Sequence, residues 1–228
     1  MALDSGPAYT APPQPPQPPE EVLVGGYPVQ VTYTRPEFHN QFWAIPILGI
    51  LVKAIILIPH WIVLYILQIA VRLSLLILWI PVLLGGRYPL WGYALVGGTI
   101  RWTTRVQAYL FGLTDEYPPF SFHSAAEGFR EYQVQVRIEY PPHHSRLWAF
   151  PVLGLLVKLI VLIPHLVVLS VLSSVVYVVA LVLWIPVLFN RHYPEWGYQA
   201  VGGTIRWSTR VLAFLDGLTD RYPPFSFD

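Results

Sequence analysis

The chain contains no cysteine and one methionine, and charged residues occupy only 12% of its 228 positions. The absence of cysteine excludes disulfides and thiolate chemistry. A soluble domain usually carries about 25% charged residues. The shortage of charge, together with 54% hydrophobic residues, therefore predicts a protein that lies partly in lipid. A net charge of +1 gives no indication of a nucleic-acid partner.

Motifs that carry catalysis are also missing. The sequence has no glycine-rich phosphate loop after a strand, no Gly-x-Ser-x-Gly, no His-Glu-x-x-His and no carboxylate pair at a useful spacing. Its histidines are scattered, and the adjacent His143 and His144 have the wrong spacing for one helical face. We therefore expect no catalytic residue, no cofactor and no metal site.

Residues 1–26 lack the basic region and apolar run of a signal peptide and hold a proline-rich stretch over 11–19. This composition favours polyproline II and cannot build a core. It predicts a disordered tail or spacer, with a docking site for a proline-recognising domain as the alternative.

The strongest pattern in the sequence is an internal duplication. Residues 29–122 align without a gap on residues 134–227, and about 60% of the positions are identical. The duplication predicts one repeat over 27–122 and a second over 132–228, joined by a linker over 123–131.

Each repeat contains the same four parts: an alternating segment, an apolar block, an amphipathic helix after a polar turn, and an extended Tyr-Pro-Pro-Phe-Ser-Phe segment. The alternation predicts a strand, and the paired prolines exclude a helix at the end of the repeat. We expect the strands of both repeats to share one sheet, with the Phe-Ser-Phe ends as candidate edge strands. The four parts lie at 27–33, 42–84, 91–113 and 117–122 in the first repeat and at 132–140, 147–189, 196–218 and 222–227 in the second.

Each apolar block is about twice as long as the roughly 20 residues of one membrane crossing. Pro59 and Pro164 are expected to split the blocks into a short first helix and a longer second helix. The polar flanks of both repeats share one side only if each repeat crosses an even number of times, and the positive-inside rule places their arginines in the cytoplasm. We therefore predict one helical hairpin per repeat. The hairpin could consist of two short crossings, or of one crossing plus an in-plane or re-entrant helix.

The only lysines, Lys53 and Lys158, lie inside the apolar blocks, where a charge is costly. Helical spacing places His60 and His165 near the same stripes as these lysines. One interpretation is an ion, proton or lipid-headgroup site lined by lysine and histidine. The other is that each lysine snorkels to lipid phosphates.

If the lysines form a polar site, Asp115 and Asp220 at the ends of the amphipathic helices are their candidate partners. Arg72 occurs at mid-helix in the first repeat, where the second repeat has Tyr177. We expect Arg72 to face a protein partner or the other repeat rather than lipid.

Two arginines four residues apart share one face of each amphipathic helix: Arg101 with Arg105, and Arg206 with Arg210. An arginine face beside an apolar stripe is typical of interfacial helices. The arginines are therefore expected either to bind anionic lipid headgroups or to form salt bridges with the two aspartates.

Four motifs resemble those of the bacterial membrane proteins grouped as domain of unknown function 4389, although the second repeat has Asn190-Arg191-His192 in place of the turn residues of the first. They are the Ile-Pro-His segment, the Gly-Arg-Tyr-Pro turn over 86–89, the Gly-Gly-Thr-Ile-Arg-Trp helix start, and Leu-Thr-Asp-x-Tyr-Pro-Pro-Phe-Ser. The resemblance covers both repeats. It implies a bacterial membrane location and tandem copies, but no accepted activity.

The predicted fold is mainly α and integral to the membrane. It is a tandem repeat of a membrane helical hairpin plus an amphipathic interfacial helix, with short β-strands forming a small cytoplasmic cap. The predicted location is the bacterial cytoplasmic (inner) membrane, with both termini cytoplasmic.

The predicted function is a non-enzymatic membrane scaffold or accessory subunit with lipid-headgroup contacts. Its expected partners are anionic membrane lipids and other membrane proteins or a second copy of the chain. The alternatives are a lipid- or small-molecule-binding transporter-like protein and, third, a membrane enzyme of unknown type. The apolar blocks contain no carboxylate, which favours the scaffold over coupled transport.

Overall fold

The computed structural model describes residues 26–45, 48–123, 132–150 and 152–228, and it is mainly helical with a small sheet. The predicted tail over 1–26 and linker over 123–131 lie outside these residues, except for Gly26 and His123. The elements are β1 (Val29–Tyr33), a 3-10 turn (Gln41–Ala44), α1 (Leu48–Ile56), α2 (Ile58–Gly85), α3 (Leu90–Leu110), β2 (Val134–Ile138), α4 (Leu153–Asn190) and α5 (Glu195–Leu215).

The two predicted strands form one antiparallel sheet shared by the repeats, as expected. Val31 lies opposite Val136, its own counterpart in the second repeat. The pseudo-twofold axis that relates the repeats therefore passes through this pair. The Phe-Ser-Phe ends add no strand within the described residues, because they pack against the helices: Phe122 lies on Gly98 of α3, and Phe227 on its counterpart in α5.

Each apolar helix packs antiparallel against the helix that follows it. Leu78 of α2 lies against Gly92 at the start of α3, whereas His60 at the start of α2 contacts Trp102 farther along α3. The same arrangement joins α4 to α5. The prediction of a hairpin within each apolar block is wrong, since α4 is one helix of 38 residues. The hairpins of this fold join the apolar helix to the arginine-bearing helix.

The prolines affect the two repeats differently. In the first repeat the helix breaks next to Pro59, as predicted, at Leu57, which has φ −80° and ψ −4°. Backbone hydrogen bonds from Leu57 to Lys53 and from Trp61 to Leu57 continue across the break, so the chain bends without reversing. Pro164 lies inside α4, and the break predicted there is wrong. A proline removes one helical hydrogen bond, and a long helix packed along α5 tolerates that loss.

The arginine-bearing helices α3 and α5 lie at the centre of the fold. They meet at Thr104 and Thr209, counterpart residues whose hydroxyl oxygens are 3.1 Å apart and which therefore also lie near the pseudo-twofold axis. The exposed residues of α3 all lie among its first five positions, namely Leu90, Trp91 and Ala94. The sequence predicts interfacial helices with a polar face; the structure instead packs these helices against the sheet and the apolar helices.

The apolar helices α2 and α4 leave most of their surface uncovered. Both are long and apolar enough to cross a membrane, and only 17% and 22% of their most apolar stretches are buried. α2 buries one narrow stripe, formed by His60, Leu64, Val71, Ser74, Leu78 and Val82. Monomeric soluble proteins rarely expose such large apolar patches, so this surface supports a membrane location.

Candidate functional site

Lys53 lies in a closed polar cluster. Its ammonium is fully buried, donates to the carbonyl of Tyr109 at 3.1 Å and lies 3.3 Å from Oδ1 of Asp115. The second oxygen of Asp115 accepts from the backbone N–H of Asn40 at 2.7 Å and lies 3.3 Å from Nδ1 of His39. Of the two interpretations of Lys53, the structure shows the pairing with Asp115.

The charge state of Asp115 follows from these contacts. Burial raises the pKa of the carboxyl, but the adjacent His39 side chain, the Lys53 charge and the Asn40 N–H together outweigh it. The pKa of Asp115 therefore lies below its usual value, and the carboxylate stays ionised beside the buried ammonium.

The counterpart cluster around Lys158 is more open. The Lys158 ammonium donates to the carbonyl of Phe214 at 2.9 Å. Among the described residues, this carbonyl is the one acceptor that bonds the ammonium. Asp220 accepts from the backbone N–H of Ser145 and lies 3.7 Å from Nδ1 of His144. The direct lysine–aspartate contact of the first repeat is thus not repeated in the second.

The two predicted histidines hold the ends of the repeats. Nδ1 of His60 accepts a hydrogen bond from the indole N–H of Trp102 at 2.8 Å, and the ring stacks on Phe120 at 3.8 Å. His165 makes the same pair of contacts, with Trp207 and Phe225. Each histidine therefore fixes a Tyr-Pro-Pro-Phe segment against the helices, and its partners differ from those of the lysine on its stripe.

Arg105 and Arg210 are almost fully buried, with 3% and 4% of their surface exposed. Arg105 donates to the carbonyls of Ser121 and His123, and Arg210 donates to the carbonyl of Ser226. The sequence predicts that these arginines bind lipid headgroups or pair with the two aspartates. In the structure they bond backbone carbonyls instead. The arginines satisfy backbone carbonyls of the extended segments, and burial lowers the pKa of both guanidinium groups.

Arg101 and Arg206 connect the repeats. Nε of Arg101 donates to the carbonyl of Val136 at 3.2 Å, and Nε of Arg206 donates to the carbonyl of Val31 at 2.9 Å. Each arginine thus bonds the strand of the other repeat, at the residue on the pseudo-twofold axis. These contacts stabilise the shared sheet.

Arg72 faces the other repeat, as predicted. Its guanidinium lies 3.2 Å from Oδ1 of Asp216 at the end of α5. The counterparts of these residues, Tyr177 and Phe111, form an edge-to-face aromatic contact at 5.3 Å. The sequence analysis missed Asp216, although comparing the repeats for positions that differ together would have found both pairs.

A cleft of about 660 Å³ opens between α2 and the first half of α4. Its walls are mainly apolar and include Trp79, Trp148 and Leu156. Its polar lining consists of Arg72, His144, Ser145, Lys158, Asp216 and Asp220 with the hydroxyl of Tyr88. Arg72, Lys158 and Asp216 come from α2, from α4 and from the end of α5. The fold therefore brings together polar residues that no single sequence motif contains. Among the described residues, no group of histidine or acidic side chains is placed to hold a metal ion.

The family model described as domain of unknown function (DUF4389) matches residues 48–121 and 153–226. The chain belongs to this family. The two matches confirm the tandem arrangement, and each DUF4389 copy runs from the start of the apolar helix to the Tyr-Pro-Pro-Phe segment. The strands β1 and β2 lie outside both copies. No curated protein and no solved structure matches the chain.

Proposed function

We propose that the protein is a non-enzymatic integral membrane scaffold or accessory subunit of the bacterial cytoplasmic membrane. In this proposal α2 and α4 form the lipid-embedded surface, and the sheet with its surrounding loops forms a polar cap. The observation that carries the proposal is the uncovered apolar surface of α2 and α4. Lipid is the solvent in which such a surface costs least.

The packing favours an in-plane arrangement of these helices. α2 has 28 residues and is about 42 Å long at about 1.5 Å per residue. It lies along α3 from Leu78 to His60, and α3 contacts the sheet. His60 at the start of α2 stacks on Phe120, and Gly86 after its end accepts a hydrogen bond from the backbone of His144, so both ends of α2 stay beside the cap. We infer that α2 and α4 lie within one leaflet, which keeps the polar flanks of both repeats on the cytoplasmic side.

In this arrangement we expect headgroup contacts from exposed arginines, since Arg105 and Arg210 are buried and Arg101 and Arg206 are half-buried and bond the sheet. Arg87 and Arg191 are exposed and follow the last turns of α2 and α4, and Arg146 is exposed before α4. Basic side chains beside a lipid-embedded surface attract anionic headgroups, by about 1 kcal/mol each. We therefore still expect anionic lipids as partners, bound by Arg87, Arg146 and Arg191 rather than by the arginines of α3 and α5.

Membrane extraction tests the proposal. The full chain should remain with membranes during washes in high salt and at alkaline pH, and should be released by mild detergent. Leu73→Glu with Leu76→Glu, on the exposed apolar face of α2, should reduce the membrane-bound fraction. The matched control is Thr32→Glu on the exposed face of β1, which should leave it unchanged. Release of the unmodified chain by salt alone would contradict the proposal.

A further inference from the structure

The cleft between α2 and α4 contains polar groups whose hydrogen-bonding capacity the described residues do not use. The His144 ring is 6% exposed, and its Nε2 has no hydrogen-bond partner among these residues. The Lys158 ammonium has three N–H donors, one of which bonds Phe214. The guanidinium of Arg72 bonds Asp216 through one nitrogen. The N–H groups of Lys158 and Arg72 that these contacts leave over favour an acceptor-rich ligand, because a buried donor without an acceptor costs free energy.

The cleft is lined by two cations, Arg72 and Lys158, and by two carboxylates, so its leftover hydrogen-bond donors, rather than a net positive charge, favour an acidic head. Asp216 and Asp220 are already engaged, the first by Arg72 and the second by the backbone of Ser145. The exposed Arg146 follows the lining residue Ser145 in the chain and is not itself part of the lining. The N-terminus of α4 also lies at the cleft, since Leu155 and Leu156 line it, and a helix N-terminus stabilises negative charge.

The two repeats differ at this place. In the first repeat Gln41 of the 3-10 turn bonds the carbonyl of Leu188 and packs that turn onto α4. The counterpart of Gln41 is Arg146, which is exposed. The ionisable residues Arg72 and Asp216 likewise replace an aromatic pair on the side of the cleft. The charged residues that distinguish the two repeats, Arg72, Asp216 and Arg146, thus lie in or next to the cleft between the apolar helices.

The walls of the cleft define the rest of the ligand. They are apolar and aromatic, and the cleft opens beside the lipid-embedded faces of α2 and α4. Its volume falls within the range of about 300–1,000 Å³ that is typical of small-molecule sites. A hydrocarbon chain fits these walls, and a carboxylate or phosphate fits the polar lining.

We propose that this cleft binds a single-chain anionic amphiphile, with its acidic head against Lys158 and Arg72 and its hydrocarbon chain between α2 and α4. The ligand would come from the bilayer, so the proposal rests on the membrane location proposed above. It adds a specific lipid site to a protein whose scaffold role requires none.

Binding to the purified full chain in zwitterionic nanodiscs tests the site, and it does so independently of membrane extraction from cells. Oleate and oleoyl lysophosphatidate should bind saturably, whereas oleylamine and oleyl alcohol should bind at least tenfold more weakly. Binding of either acid supports the proposal, and the tighter one identifies the head group. Equal binding of the alcohol would overturn it, because the lining would then contribute no anion recognition.

Matched variants locate the ligand. Lys158→Gln keeps a donor for Phe214 but removes the charge, and Leu156→Trp fills the cleft. Each should weaken oleate binding about tenfold, equivalent to about 1.4 kcal/mol. The counterpart variant Leu51→Trp lies away from the cleft and should leave the affinity unchanged. Equal losses in both repeats, or no loss at Lys158 and Leu156, would overturn the proposal.

Discussion

Arg72 of α2 pairs with Asp216 at the end of α5 at 3.2 Å, in the place where the other half of the molecule has Tyr177 against Phe111. The same contact between the repeats thus occurs at two equivalent places, as an ion pair at Arg72 and Asp216 and as an aromatic pair at Tyr177 and Phe111. The pseudo-symmetry makes the two solutions comparable within one chain.

The exchange of these pairs is testable. Arg72→Tyr leaves Asp216, which is 5% exposed, without its cation and should lower the free energy of unfolding by about 1–3 kcal/mol. The lower end is expected, because the Arg72 side chain is 57% exposed and screened by solvent. The double variant Arg72→Tyr with Asp216→Phe recreates the aromatic pair and should recover most of the loss. Additive losses in thermal unfolding in detergent would show that the two contacts are not equivalent.

The two lysines should differ in their contribution to stability. Lys53→Met removes the partner of Asp115 from a buried pair and should destabilise the fold by about 3 kcal/mol. Lys158→Met removes one hydrogen bond to a carbonyl and should cost about 1 kcal/mol. Unfolding midpoints in detergent compare the variants. Equal small losses would indicate that the Lys53 ammonium reaches the lipid surface instead.

Adjacent glycines of α3 should respond in opposite directions to alanine. A Cβ on Gly98 would lie 2.7 Å from the Cβ of Phe122, so Gly98→Ala should cost about 1–3 kcal/mol through overpacking. A Cβ on Gly97 meets its nearest atom at 3.6 Å, and alanine favours the helix by about 1 kcal/mol. Gly97→Ala should therefore be neutral or stabilising. A similar loss for both would contradict the packing of the Phe-Ser-Phe end on α3.

Acid should weaken the Asp115 cluster. The folded pKa of Asp115 lies below its usual value, and the unfolded value is about 3.9. The stability from its ionisation is therefore fully present above about pH 4 and is lost as the pH falls through the folded pKa. The stability difference between the unmodified chain and Asp115→Asn should shrink as the pH falls from 7 to 3. A constant difference would mean that the charge of Asp115 does not stabilise the fold.

The sequence predicts the duplication and the shared sheet of this fold, and it fails for the path of the apolar helices and for the partners of the buried arginines. Three features could be predicted: the duplication, the shared strands and the bend beside Pro59. Each depends on local residue spacing or on an identical residue at the matching position of the other repeat. The face of Arg101 and Arg105 has the pattern of a solvent- or lipid-facing surface. In the structure it meets backbone carbonyls of β2 and of the extended segment, and helical periodicity gives no information about such partners.

The candidate site shows the same limit. Lys158 and Asp220 are noticeable in the sequence, because a charge in an apolar block and its matched acid both stand out. His144 and Asp216 join them only because the fold places α2, the start of α4 and the end of α5 around one cleft. Their positions are 72 residues apart in the chain, and only the crossing of the repeats brings them to one cleft.

Cysteine accessibility tests the membrane arrangement most directly, because the chain has no cysteine of its own. Single cysteines at Arg87 and Arg191 mark the ends of α2 and α4, and cysteines at Ser121 and Ser226 mark the extended segments at the opposite ends. An impermeant maleimide should label all four in inverted membrane vesicles and none in intact cells, since both ends of each apolar helix lie on the cytoplasmic side. Labelling of Arg87→Cys and Ser121→Cys from opposite sides would show that α2 crosses the bilayer and would contradict the in-plane arrangement.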